Sequence, residues 1–182
     1  IYVLEGHGST QVELANGSKH LFEWGPRSLF AIPLNAKYRH FNGSGNDRAL
    51  IVATTNCPTV MNLFNDETFV FDQPYDFSVR AGKDGYFTGD GDFHEIRQGN
   101  HMWETNFVPD LAEIELRAWG DRGAGGTNIM FVLADGVMHA HISEMPVGTY
   151  KKGHRHGPGF HVMCVTGHGY SLLWYDGDPD FT

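Results

Sequence analysis

The apolar residues of this chain occur in short runs that end at turn-forming residues. In the first part of the chain these runs are four to eight residues long and stop at glycine, proline or asparagine, as β-strands do. Asn16-Gly17, between two of the runs, is a strong signal of a hairpin. Only residues 58–65 have apolar residues at helical spacing. We expect strands at 1–5, 10–14, 21–24, 28–33, 49–56 and 68–72.

The middle of the chain has a different pattern. Residues 81–128 are rich in glycine, with Gly89-Asp90 followed by Gly91-Asp92, and have little periodicity. We expect an irregular connector there, in which residues 110–119 could form a short helix or a strand. The strand pattern returns from Ile129, and it predicts strands at 129–136, 137–145, 148–156, 161–167 and 170–177.

A short internal repeat suggests how these parts are related. Residues 1–10 align without gaps on residues 162–171, and Gly6-His7-Gly8 matches Gly167-His168-Gly169. We therefore expect pieces of two similar units in tandem. The division is 1–80 for the second half of the first unit, 81–128 for the connector and 129–182 for the first half of the second unit.

Composition narrows the class of protein. The chain has 23 glycines and 8 prolines in 182 residues, which favours many tight turns and an all-β fold. Its formal net charge of −9 gives no surface for nucleic acid or an anionic membrane, and no apolar run approaches the roughly 20 residues that cross a bilayer. Only two cysteines are present, far apart, so no disulfide framework is indicated. We expect a globular protein of the cytoplasm.

The candidate chemistry lies in two histidines of the segment GTYKKGHRHGPG. Side chains two residues apart leave the same face of a strand, so His154 and His156 would start about 7 Å apart and could converge on one metal ion. Imidazole is a ligand of Fe, Mn, Ni, Cu and Zn. The alternative is a polar edge strand with two surface histidines. For the similar alternation at His139 and His141 we favour a solvated strand face.

The spacing of Gly148, His154, His156 and Gly167 resembles the first motif of the cupin superfamily, and residues 25–42 resemble its second motif. The resemblance implies an all-β fold of double-stranded β-helix, or jelly-roll, barrels, with parts of two barrels in this chain, as in a bicupin. It also implies that His154 and His156 bind a metal, and that His40 is the motif-two ligand of the neighbouring barrel. The matching third ligand of the second barrel would lie beyond Thr182.

Two arrangements of the half-barrels remain open. We favour a longer chain in which each half-barrel is completed by further sequence. In the other arrangement the two halves close on each other, and His40 comes within about 4 Å of His154 and His156 in one composite site.

Residues 154–169 most resemble the ring-cleaving bicupin dioxygenases of the gentisate and hydroxynaphthoate type, which have the two histidines and lack the glutamate of other cupins. The resemblance implies a non-haem Fe(II) dioxygenase that takes O2 and a small aromatic or other oxygen-chelating substrate, in a homo-oligomer. Mn, Ni, Cu or Zn could replace iron. The alternatives are a non-catalytic or regulatory bicupin that binds a metal or small molecule, and another cupin reaction, isomerisation or decarboxylation.

Four residues near the pair are candidates for substrate binding. Phe160, Tyr170 and Trp174 would line the barrel, which in this fold is also the wall of the pocket. His161 could contact the metal site or the substrate, although its strand phase favours an outward, structural histidine.

Overall fold

The structure, a computed structural model, describes residues 1–75, 77–120, 123, 125–136, 138–157 and 159–178. Its first part contains β1 (Tyr2–Glu5), β2 (Gly8–Glu13), β3 (Lys19–Trp24), β4 (Leu29–Phe30), β5 (Lys37–Asn42), β6 (Leu50–Val52), α1 (Cys57–Phe64) and α2 (Glu67–Phe71). Two short 3-10 helices follow, Ser78–Arg80 and Asp84–Phe87. The rest contains β7 (Asp92–Arg97), β8 (Asn100–Thr105), β9 (Phe107–Val108), β10 (Arg117–Ala118), β11 (Thr127–Leu133) and β12 (His139–Glu144).

The described strands form three sheets. Sheet 1 has the order β6-β1-β4-β9, sheet 2 has the order β3-β2-β5, and sheet 3 has the order β10-β11-β8-β7 with β12 also paired to β11. All pairs are antiparallel except β8 and β11, which run parallel with Met102 beside Met130. The sheets curl into half a barrel, and the all-β class is confirmed. No helix among the described residues is long and apolar enough to cross a bilayer.

Sheet 1 has a hydrophobic core on each face. Neighbouring residues of a strand point to opposite faces of a sheet, so each strand can contribute to both cores. In β1, Val3 enters one hydrophobic core and Tyr2 the other, and in β9 Phe107 and Val108 divide in the same way. Core 1 contains Val3, Val12, Phe22, Trp24, Phe30, Phe87 and Phe107. Core 2 contains Tyr2, Val108, Leu111, Ile129, Phe131 and Leu133.

A polar contact joins the segment before β4 to the segment after β9. Arg27, held at the left-handed φ of 70°, donates to both carboxylate oxygens of Asp110 at 2.8 and 2.5 Å. Next to it, the Ser28 hydroxyl donates to the Pro109 carbonyl at 2.6 Å. The guanidinium of Arg27 holds the pKa of Asp110 below its usual range. This contact holds together the pairing of β4 with β9, which have only two residues each.

Most strands predicted in the first part are present, but one of them is a helix. Residues 68–72 lie largely in α2, because the side chain of Asp66 caps that helix by accepting from the Phe69 N–H at 2.8 Å, and Glu67 stands in its first turn. These helix-start signals outweigh the β propensity of the aromatic residues that follow. The predicted strand 28–33 is reduced to β4, and β5 was not predicted. The helix predicted at 58–65 is confirmed as α1.

The prediction of an irregular middle is wrong. Residues 81–128 contain β7 to β10, and Phe87 and Phe107 from this range lie in core 1. The β7–β8 hairpin turns at Gly99, which has a φ of 74° and donates its N–H to the Glu95 side chain at 2.9 Å. The glycines therefore mark tight turns between strands. The stretch 110–119 forms a strand only at β10.

The last predicted strands are also wrong where the structure describes them. Residues 145–157 and 159–178 contain no strand, and many of their apolar side chains are exposed. A strand requires neighbouring backbone to pair with, and the sequence pattern alone does not supply that neighbour. Val165 is an exception to the exposure, since it packs against core 2.

The contact between Arg27 and Asp110 predicts a pH-dependent stability. A carboxyl pKa that is lowered by folding stabilises the fold above the unfolded value of about 3.9, and this contribution is lost as the pH falls through the folded value. We expect Asp110→Asn to lower the free energy of unfolding by about 1 to 2 kcal/mol at pH 7. Urea unfolding at pH 7, 5 and 3 measures it, and the difference from the unsubstituted protein should shrink below about pH 4.

The control for this test is Glu115→Gln, which breaks an exposed pair with Arg117. It should change the unfolding free energy by less than about 0.5 kcal/mol. An equal effect of Asp110→Asn at pH 7 and pH 3 would contradict the assignment.

Candidate functional site

His154 and His156 face each other in an exposed loop. Their Nε2 atoms are 2.9 Å apart, and their ring centroids are 4.7 Å apart with the planes at 60°. The two histidines do not lie on a strand, so the predicted strand at 148–156 is wrong, but their rings still meet.

A backbone contact decides which nitrogen of His154 carries the proton. Its Nδ1 lies 2.8 Å from the Lys152 carbonyl oxygen, and a carbonyl can only accept, so Nδ1 is the donor. In the neutral ring the Nε2 lone pair then points at His156. Histidines that bind metals are typically held in this way, with the second ring nitrogen bonded to a carbonyl or carboxylate.

The separation of the two Nε2 atoms matches a shared ion. Two nitrogens at about 2.05 Å from one ion, at right angles to each other, are about 2.9 Å apart. The same distance also fits a direct hydrogen bond in which Nε2 of His156 is the donor. The distance alone therefore fits both two adjacent ligands of one ion and a hydrogen-bonded pair, and metal binding distinguishes them.

Two of the four predicted substrate residues lie beside the pair. The ring of Phe160 packs on His156 with centroids 4.7 Å apart. Trp174 packs close to Gly153, where an added Cβ would stand 2.9 Å from Cη2 of the indole. Arg155 forms an ion pair with Asp176, which ties the histidine loop to the segment that carries Trp174.

The other two predicted substrate residues are not gathered at the pair. His161 bonds through Nδ1 to the hydroxyl of Thr54 at 3.0 Å, just beyond β6. Tyr170 is 90% exposed. Of the four, Phe160 contacts the pair and Trp174 borders the same loop, and the substrate-binding role of all four stays a prediction.

His40 lies elsewhere, on β5 of sheet 2. Its Nδ1 is 2.8 Å from the hydroxyl of Thr10, which also accepts from the Trp24 indole at 2.9 Å, and its ring meets the edge of Phe30. Burial lowers the pKa of His40. These contacts place His40 against core 1 as part of a buried hydrogen-bond chain.

The three histidines do not form one composite site. Among the described residues, a single group of three potential ligands has its atoms within 4.8 Å of one another, and it does not contain His40, His154 or His156. The arrangement in which the two half-barrels close around one ion is therefore wrong. The assignment of His40 to a site in a neighbouring barrel stays a prediction.

The group that the structure does bring together is Asp92, His94 and Glu104, which could hold a metal ion. This group was not predicted from the sequence, because the range 81–128 was expected to be irregular. The spacing of Asp92 and His94, two residues apart, was the available signal. The third member comes from the partner strand, so it becomes visible only once the hairpin register is known.

No protein family matches the sequence, and no match was found among curated proteins or solved structures. The support for a metal at the histidine pair, and at Asp92, His94 and Glu104, is therefore their geometry.

The geometry of the pair predicts its metal affinity. His154→Ala or His156→Ala should weaken the binding of Ni2+, an ion that prefers imidazole, by more than about 10-fold, since even the loss of a hydrogen-bond partner of a metal ligand costs that much. Isothermal titration calorimetry measures the affinity. Both side chains are exposed, so the melting temperature should be unchanged.

His168→Ala is the matched control, since it removes an exposed histidine from the same part of the chain. It should leave the Ni2+ affinity unaltered. If both pair variants bound Ni2+ as tightly as the unsubstituted protein, the assignment of the ligands would be wrong.

Proposed function

We propose that this chain is a cupin-type metalloprotein that acts as a non-haem Fe(II) dioxygenase on a small aromatic or other oxygen-chelating substrate. The observation that carries the proposal is the 2.9 Å approach of the two Nε2 atoms, with His154 held by the Lys152 carbonyl. The β-rich fold and the spacing of Gly148, His154 and His156 support its double-stranded β-helix part.

The donor set fits the metal that the proposal requires. Two neutral imidazoles leave a divalent ion its full positive charge and several open positions, and imidazole suits iron among other borderline ions. Bound iron would supply the positions at which a hydroxy-carboxylate and O2 meet. The role of this chain is to hold the two nitrogens in place: the Lys152 carbonyl fixes the tautomer and ring orientation of His154.

The aromatic residues beside the pair suit a flat, apolar ligand. Phe160 packs on the ring of His156 and is 54% exposed, so one part of it is available to a substrate. Trp174, at 49% exposure, borders the same loop at Gly153. An aromatic acid bound here would stack on one of these rings while its oxygens reach the metal.

The openness of the loop favours a second candidate, a bicupin that binds a metal or small molecule without catalysis. Binding pockets usually bury most of a ligand, and here both histidines and Tyr170 are exposed. The two candidates share the metal and differ in whether oxygen is consumed. A cupin isomerase or decarboxylase would likewise need no oxygen.

Oxygen uptake tests the proposal. The protein is loaded with Fe(II) under anaerobic conditions and mixed with gentisate or 1-hydroxy-2-naphthoate and dissolved O2. We expect one O2 consumed for each ring cleaved, with both oxygen atoms in the product. His156→Ala should reduce the uptake to background, while His168→Ala should retain it.

The outcome also separates the candidates. Bound iron without oxygen uptake would favour the binding protein and contradict the dioxygenase. A protein that retains no transition metal after loading would overturn the metal-dependent function altogether.

A further inference from the structure

A second group of metal-ligand side chains lies on the β7–β8 hairpin of sheet 3. Asp92 and His94 are two residues apart on β7 and so leave the same face of the strand. Glu104 on β8 is directly opposite Asp92 in the antiparallel register. Nε2 of His94 is 3.4 Å from a carboxylate oxygen of Glu104, and one ligand atom from each residue lies within 4.8 Å of the other two.

A buried side chain outside the group orients one of its members. Tyr86 is only 6% exposed, and its hydroxyl donates to Oδ2 of Asp92 at 2.7 Å. Burial raises the pKa of Tyr86 well above its usual range, so the hydroxyl remains a donor. Lys83 contacts the same oxygen. Both donors therefore bond to the same carboxylate oxygen of Asp92.

The charges around the group favour a cation. The group holds two carboxylates. Among the described residues, Lys83 and Tyr86 bond to Asp92 from outside the group, and His94 lies beside Glu104. Ligand carboxylates in metal sites are typically hydrogen-bonded from behind in this manner. Asp92 and Glu104 are 40 and 35% exposed, so water can complete the coordination.

We propose that Asp92, His94 and Glu104 form a site for a divalent cation of the Mn2+ or Zn2+ class, separate from the histidine pair. One imidazole and two carboxylates suit these ions. They do not suit Ca2+, which takes six to eight oxygen ligands. The site goes beyond the proposed function and does not depend on it. The competing explanation is a surface ion-pair network, Lys83 with Asp92 and His94 with Glu104.

The test uses the whole chain with the histidine pair removed, as His154→Ala/His156→Ala, so that only the hairpin group can respond. Mn2+ is titrated and the unbound ion is followed by electron paramagnetic resonance. We expect one equivalent to bind and the melting temperature to rise with Mn2+, because a ligand of the folded state stabilises it. Ca2+ at the same concentration should produce neither effect.

Substitutions in this background locate the ion. His94→Ala and Glu104→Gln should each weaken Mn2+ binding by more than about 10-fold. Asp92→Asn should do the same, and the first two variants keep the test valid if Asp92→Asn fails to fold. The matched control is Glu23→Gln, an exposed carboxylate on β3 of sheet 2, which should leave the affinity unchanged.

Lys83→Ala distinguishes a metal site from a surface ion-pair network. Removing the competing ammonium should tighten Mn2+ binding by up to about 5-fold, the worth of an exposed ion pair. The proposal is overturned if the double variant binds no Mn2+, or if His94→Ala and Glu104→Gln bind it as well as their parent. Because the histidine pair is absent throughout, neither result bears on the dioxygenase proposal.

Discussion

Sheet 1 packs against a hydrophobic core on each face, and this packing determines where sheets 2 and 3 lie. Strands such as β4 and β9 are too short to be held by backbone pairing alone, so their position follows from packing on two sides. Phe30 and Phe107 enter core 1 while Val108 enters core 2. The Arg27–Asp110 contact also holds β4 beside β9, from the segments that flank them. Sheets 2 and 3 are thereby fixed on opposite sides of a shared wall.

Both groups of potential ligands are attached to this framework, but with different rigidity. Glu104 stands next to Thr105, which is fully buried and donates its hydroxyl to the Asp90 carbonyl at 2.7 Å, so the hairpin group is built on anchored strands. The histidine pair lies on a loop whose contacts include the Arg155–Asp176 ion pair, the His161–Thr54 hydrogen bond and the packing of Val165 on core 2. The side chains of the hairpin group are held in position by their strands without an ion. The side chains of the histidine pair lie on a loop and can change position when an ion binds.

The parts of the fold predicted from the sequence are those decided by local pattern. Asn16-Gly17 turns between β2 and β3 as expected, and the apolar spacing of 58–65 produces α1. The errors arise where local signals compete or tertiary partners decide. Asp66 turns an aromatic run into α2, and the strand-like residues 161–167 have no strand beside them. Of the candidate sites, the meeting of His154 and His156 could be predicted because the two residues are neighbours in sequence. Glu104 was missed because it meets Asp92 only across a hairpin.

We propose that His154 and His156 are two ligands of one transition-metal ion. X-ray absorption spectroscopy of the Fe(II)-loaded protein tests this assignment, because it counts the imidazole ligands of the iron. We expect at least two imidazole nitrogens at about 2.1 Å, and their loss in the His154→Ala/His156→Ala variant. A spectrum with only oxygen ligands, or one unchanged by the double substitution, would contradict it.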